Sequence, residues 1–267
     1  MLSMVLNDLN DRPVIPNLKA HQAIKGFDMA LGQQTVVVVG GSSGVGLETV
    51  RRLAATGARV IATGRDDGKL KAAIGGMGAT VSGAAFDACD RGALDAFFEK
   101  TGPIDHLVLT LSGGEGAGEF AHLDLQSLRR GFEAKFWPQL EAAQAGARVL
   151  QKGGSITFVT AISARNALPG TAGLAAINGA LEAMVGSLAR ELKPSRVNAV
   201  SPGLVDTPWW DRVPVALKDD LFRQQVETLP VGRVGQPQDV AHAIEFLIEN
   251  GYTTGTVIEC DGGLRLV

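Results

Sequence analysis

The residues best suited to chemistry lie in Gly40-Gly-Ser-Ser-Gly-Val-Gly46, between a β-branched run and a stretch with apolar residues at helical spacing. Glycines at 40, 44 and 46 let a tight turn take positive φ and bring backbone close to an anion. A helix that starts here offers unpaired N–H groups and the positive end of its dipole to a pyrophosphate. Ser42 and Ser43 add hydroxyl donors, and Val45 completes the loop. The plainer reading is a glycine turn that merely closes a βα unit. The strand–loop–helix setting favours a dinucleotide instead.

The end of the second strand discriminates between dinucleotides. An acid there would bind the adenosine ribose hydroxyls and repel a 2′-phosphate. The sequence carries Thr63-Gly64-Arg65 instead. A guanidinium pairs bidentately with phosphate, so Arg65 favours NADP(H) over NAD(H). The competing reading of Arg65 is a solvated surface charge, and the acids that follow it, Asp66 and Asp67, weigh on that side. Asp87, after the third strand, is placed to bond an adenine amino group or to cap the next helix.

These residues need a scaffold, and the periodicity supplies one. Thr35-Val-Val-Val-Val39 reads as a strand buried on both faces of a parallel sheet. Further strands are read at 59–63, 80–86, 104–111, 155–160, 196–200 and 256–260. Helical stretches alternate with them, among them a long one over 125–150 interrupted by Pro138. Another, over 172–192, has Leu174, Ile177, Leu181, Met184, Val185 and Leu188 as its apolar stripe. The alternation predicts an α/β fold: a doubly wound Rossmann fold with a seven-stranded, mainly parallel sheet flanked by helices. Residues 34–267 fit one such domain. Residues 1–33, with Pro13 and Pro16 and no steady period, read as an N-terminal extension along the surface or partly without order.

Composition excludes several classes. Hydrophobic residues make up 45% and charged residues 20%, which is globular rather than disordered. The net charge of −3 advertises no basic face, so no nucleic-acid partner is expected. No unbroken apolar run of about 18 residues occurs, so no membrane span is expected. The first residues lack the apolar core of a signal peptide, and a cytoplasmic protein is the default expectation. Cys89 and Cys260 are not at metal-ligand spacing and the four histidines are dispersed, so no metal is expected.

The assembled motifs resemble those of the short-chain dehydrogenase/reductase family. The glycine loop is similar to that family's, with Val39 where Thr is usual. Asn198-Ala-Val-Ser-Pro-Gly-Leu-Val-Asp-Thr-Pro208 looks like its segment following the sixth strand. Arg233-Val-Gly-Gln-Pro237 and Cys260-Asp-Gly-Gly263 resemble its C-terminal signatures. The resemblance spans about 230 residues. It implies an NAD(P)-binding domain, a homodimer or homotetramer, and Pro202, Gly203, Val205 and Thr207 along the nicotinamide and pyrophosphate. Ser112 and Thr110 would neighbour the cofactor. Small residues on the two long helices are consistent with helix-mediated association or with packing onto the sheet.

The family's usual chemistry uses a Tyr, a Lys four residues later, a Ser about 13 residues before the Tyr, and an Asn on the preceding long helix. Matched onto that pattern, the Tyr position holds Leu174, the Lys position Asn178, the Ser position Ala161 and the Asn position Lys135. The single tyrosine, Tyr252, lies beyond the sixth strand with no Lys four residues on. Leu174 has no ionisable atom and cannot serve as a general acid or base. Lys135 and Asn178 exchange the family's two residue types, so an amine and an amide could still face each other; Lys135 could then donate a proton or stabilise an oxyanion. The plainer reading has Lys135 in solvent and Asn178 filling a helix interface. Ser163 is a weaker candidate for bonding a substrate carbonyl, and Glu115 reads as a loop charge. Trp209 and Trp210 would line the substrate lid and favour a bulky or planar substrate.

The expected function is an atypical NADP(H)-binding oxidoreductase acting on a small organic carbonyl by a non-tyrosine mechanism. Two alternatives stand beside it: a non-redox cyclase, isomerase or lyase on the same scaffold, and a non-catalytic NADP(H) sensor or scaffold protein.

Overall fold

The computed structural model describes residues 31–267. The extension read over residues 1–33 lies, but for its last three residues, outside them. Leu31 is buried in the core, and the Gln34 carboxamide bonds the buried His106 ring at 2.9 Å. Leu31 and Gln34 therefore belong to the folded body.

Seven strands form one sheet in the order β3-β2-β1-β4-β5-β6-β7, all parallel. They are β1 (Thr35–Val39), β2 (Arg59–Gly64), β3 (Val81–Ala85), β4 (Ile104–Leu109), β5 (Leu150–Val159), β6 (Arg196–Pro202) and β7 (Val257–Cys260). Val36 to Val39 are fully buried, as a β-branched run between two parallel neighbours requires. Alternate residues feed two cores. Val37, Val39, Leu107, Leu109, Ile156 and Phe158 pack on one face, with Phe98, Leu181 and Val185. Val36, Val38, Val60, Val108 and Val200 pack on the other, with Leu53, Ile244 and Leu247.

The helices are α1 (Gly44–Ala55), α2 (Asp67–Ile74), α3 (Arg91–Thr101), α4 (Leu125–Gly131), α5 (Trp137–Ala147), α6 (Ala172–Glu191), α7 (Val215–Thr228) and α8 (Pro237–Glu249). Three features differ from the sequence reading. The long helix over 125–150 ends at Ala147, and its interruption is a π-helical turn at Phe132–Phe136 just before Pro138. Pro138 sits in the first turn of α5, where its missing N–H is not needed. The fifth strand starts five residues earlier than expected, with an irregularity opposite Ile104–His106. The helix α7 was not anticipated at all. α6 is the one helix among the described residues long and apolar enough, by length and composition, to cross a membrane. In the fold Leu181 and Val185 lay that helix on the sheet.

Candidate functional site

The strand order reverses between β1 and β4, and a crevice for a ligand opens at the carboxyl ends of strands at such a point. Every site residue read from the sequence lies at or beyond the carboxyl end of a strand or on a helix packed behind it.

The loop after β1 is as tight as its glycines suggest. Gly40 has φ +95° and Gly44 φ +53°. A Cβ on Gly46 would lie 2.2 Å from the Gly40 carbonyl oxygen, so only glycine lets α1 begin this close to the turn. Ser43 is the N-cap of α1, yet its hydroxyl makes no capping bond and stays available to an anion. Ser42 packs against Gly64 at the end of β2, next to Arg65. Val45 packs partly against the core beneath.

Arg65 is exposed and makes no salt bridge among the described residues. Its acidic neighbours are committed elsewhere. Asp66 caps α2 by accepting the Lys69 N–H at 2.7 Å, and Asp67 pairs with Lys71 at 2.7 Å. Asp87 does not cap α3; Asp90 does, accepting the Ala93 N–H. One Asp87 oxygen accepts the Cys89 N–H at 3.0 Å, and the carboxylate is exposed beside the loop. Burial and the neighbouring Asp87 push the Cys89 thiol up. Thr110 Oγ1 donates to the Val39 carbonyl at 2.9 Å, and exposed Ser112 donates to the Gly113 carbonyl at 3.2 Å. These residues fit a dinucleotide phosphate: a cradle that a Cβ would fill, free donors at a helix start, and an unpaired guanidinium one strand away.

At the end of β6, Pro202 is buried, and just beyond it the Gly203 N–H donates to the Cys260 carbonyl at 3.0 Å. Val205 is also buried. Thr207 leans over Gly44, its Cβ 3.5 Å from where a side chain would start there. Trp209, Trp210 and Phe222 stack edge to face with centroids 4.9 and 5.3 Å apart. The Trp209 indole donates to the Gly113 carbonyl at 2.7 Å, and the Arg212 guanidinium lies against Gly114 and over the Trp209 ring. The segment after β6 is thus closed onto the loop after β4. Glu115 in that loop is exposed and paired with Arg130 at 2.7 Å.

Lys135 does not point into solvent. It lies in the π turn, only 8% exposed, and Nζ donates to the Thr160 carbonyl at 2.9 Å. Burial brings its pKa down to about 8, opposed by the Glu182 carboxylate. Asn178 is buried on α6; its amide donates to Ser163 Oγ at 3.1 Å and to the Leu174 carbonyl at 2.9 Å. Its Oδ1 is buried without a partner among the described residues. The structure therefore joins Asn178 to Ser163 and Lys135 to Thr160, and Lys135 and Asn178 make no bond to each other. A Leu174 side chain stands one turn before Asn178 on the same helix.

Sequence reading missed three contributors. Gln139 donates to the carbonyls of Leu111 and Val159 at 2.8 and 3.1 Å, tying the ends of β4 and β5 together. Thr160 and Glu182 surround Lys135. Glu182 was within reach of sequence reasoning, since it follows Asn178 by four residues on one helical face. Nothing in the sequence announces the other two. Among the described residues no three potential metal ligands share a site.

Comparison with known proteins agrees with this architecture. The family described as Enoyl-(Acyl carrier protein) reductase matches residues 39–265. A short-chain dehydrogenase/reductase of Stachybotrys chlorohalonatus is 28% identical over 87% of this chain and 97% of its own. The 3-oxoacyl-(acyl-carrier-protein) reductase MabA of Mycobacterium tuberculosis is 31% identical over 91% of this chain and 98% of its own. A small-chain dehydrogenase crystallised with NADPH superposes with a TM-score of 0.77 at 35% identity, covering 88% of this chain and 100% of that one. The fold, the glycine loop and this match across most of the chain lead to one conclusion: the chain belongs to the short-chain dehydrogenase/reductase family.

Proposed function

We propose that the protein is an NADP(H)-dependent oxidoreductase that acts on a small organic carbonyl or related substrate and uses Lys135, in place of a tyrosine, to handle the proton. The observation that carries this reading is the buried amine of Lys135, held by the Thr160 carbonyl; the family resemblance sets Leu174, which has no proton to give, at the Tyr position. One N–H of Nζ is spent on the Thr160 carbonyl, which leaves two donors. A group with a pKa of about 8 is charged at neutral pH and still close enough to it to give up a proton. As an acid it would protonate a carbonyl oxygen as that oxygen gains charge; as a fixed cation it would stabilise the oxyanion.

When bound, the nicotinamide supplies or accepts the hydride. Gly40, Gly44, Gly46, Ser42 and Ser43 would cradle its pyrophosphate, Arg65 would hold a 2′-phosphate and Asp87 the adenine. Pro202, Gly203, Val205 and Thr207 would lie along the nicotinamide end. Ser163 would offer its hydroxyl to a substrate carbonyl, and the Asn178 amide, which donates to Ser163 Oγ, would keep that hydroxyl oriented. The stacked Trp209 and Trp210 favour a bulky or planar substrate. The NADPH-bound relative supports the choice of nucleotide. Exposed Ala176, Ala183 and Gly186 on α6 support association of two or four copies through that helix.

The test is a titration of the purified protein with NADPH and NADH, followed by turnover of a panel of ketones, enones and imines. Lys135→Ala should abolish turnover and leave NADPH binding within about twofold. Full turnover in the variant refutes the role of Lys135; failure of either nucleotide to bind refutes the reading as a whole.

A further inference from the structure

The side chain nearest in charge to Lys135 belongs to no motif discussed above. Glu182 sits on α6, its side chain 8% exposed. Its Oε1 accepts the Thr160 hydroxyl at 2.8 Å, while the carbonyl of that same Thr160 accepts Lys135 Nζ at 2.9 Å. The Thr160 hydroxyl has a second acceptor within reach, the Val200 carbonyl at 3.2 Å. A hydroxyl has one proton to give, and an ionised acceptor at shorter range takes it. Thr160 thus holds the ammonium with its backbone and the carboxylate with its side chain.

Glu182 is itself held in place. Its Oε2 accepts Arg165 Nε at 2.8 Å, and Arg165 Nη1 reaches Glu259 at 3.0 Å. Arg265 then bridges Glu259 at 3.4 Å and Asp261 at 2.8 Å. Signs alternate along the whole row: Lys135, Glu182, Arg165, Glu259, Arg265, Asp261. Other charges near Lys135 do not compete. Glu133 in its own turn is exposed, and Glu115 in the loop after β4 is occupied by Arg130.

We propose that Glu182 is a positioning residue that keeps Lys135 protonated through Thr160, and that Arg165 limits how strongly it does so. Resting on the reading of Lys135 as the proton-handling group, this inference extends it by naming what sets that group's charge. A buried ammonium next to nothing but carbonyls loses its proton readily, because burial disfavours the charged form. A carboxylate fixed nearby opposes that loss, and a guanidinium on the carboxylate's far oxygen weakens the opposition. Removing Glu182 and removing Arg165 must therefore act in opposite directions. General damage to the packing would not produce that pattern.

The experiment follows the ionisation of Lys135 directly. In full-length protein isotopically labelled at lysine Nζ, the resonance absent from Lys135→Met is titrated by NMR in the wild type, Glu182→Gln and Arg165→Met. The expected midpoint falls by about one pH unit in Glu182→Gln and rises in Arg165→Met. Midpoints that stay put, or that move in the same direction, overturn the inference. The pH profile of kcat separates this result from the function proposed above. Opposed midpoints with an unmoved profile keep Glu182 in its role and remove Lys135 from proton transfer. Opposed midpoints followed by the profile support both.

Discussion

The Trp209 indole N–H and the Gly113 carbonyl are 2.7 Å apart, and this bond fastens the segment after β6 to the loop after β4. Arg212 reinforces it by lying on Gly114 and over the indole, 4.8 Å from the ring centroid. A typical hydrogen bond contributes about 0.5–1.5 kcal/mol net. Trp209→Phe keeps an aromatic wall and loses the fastening. It should raise KM by roughly two- to tenfold and leave NADPH affinity nearly unchanged. Steady-state kinetics beside a nucleotide titration check this; an equal loss in both would mean that Trp209 serves the cofactor instead.

Arg65 makes no ion pair among the described residues, because Asp66 and Asp67 are engaged with α2. Charge-assisted bonds are worth about 1.5–3 kcal/mol, so Arg65→Glu should weaken NADPH binding by roughly 10- to 100-fold. NADH binding should change little. Fluorescence titrations with both nucleotides measure the ratio, and an unchanged ratio removes Arg65 from the 2′-phosphate.

Burial of Lys135 makes a statement about stability. Its pKa is lowered from 10.5 to about 8 in the fold, so the unfolded chain binds the proton more tightly. The contribution is a penalty, complete below about pH 8 and relieved as pH rises towards 10.5. Its full size is about 3 kcal/mol. Lys135→Met should gain stability relative to the wild type at neutral pH, and the gain should shrink at about pH 10. Urea unfolding at both pH values tests this; a difference independent of pH would contradict the shift.

The bidentate pair between Arg233 and Asp239, with bonds of 2.7 and 2.8 Å, holds the Asp239 carboxyl down at about 2. The same carboxylate accepts the Gln236 N–H at the start of α8. Since its pKa is depressed, its contribution is present above about pH 4 and fades as the pH falls through 2. The pair is partly solvated, so Asp239→Asn should cost only about 1 kcal/mol at neutral pH. The cost should vanish in acid. Thermal unfolding of both proteins across that range gives the answer.

The fold was readable because β-branched runs and glycine turns are local signals. Thr35–Val39 followed by Gly40–Gly46 states its structure within a dozen residues. The candidate site was legible in part for the same reason: Arg65, Asp87 and Ser112 each lie just past a strand end, and a parallel sheet gathers strand ends along one edge. What escaped depends on distant partners. The burial of Lys135 is decided by Thr160, 25 residues later, and no spacing rule connects the two. Helix α7 was missed because its buried face is weak; none of its residues is fully covered. The π turn was hidden because a helix with one surplus residue looks in sequence like a helix broken by the Pro138 nearby.

That turn, Phe132–Phe136, has a consequence for any redesign of the chain. Each residue in an α-helix advances the azimuth by about 100°, and a π turn absorbs one extra step. Deleting a single residue there would straighten the rod and leave α5 close to its present phase. Gln139 would keep the two carbonyls it clasps, and only the side chains inside the turn would be re-aimed. The amine of Lys135 owes its inward aim to a surplus of length in the backbone, so a one-codon excision could disarm the site without altering the chemical identity of any side chain it keeps.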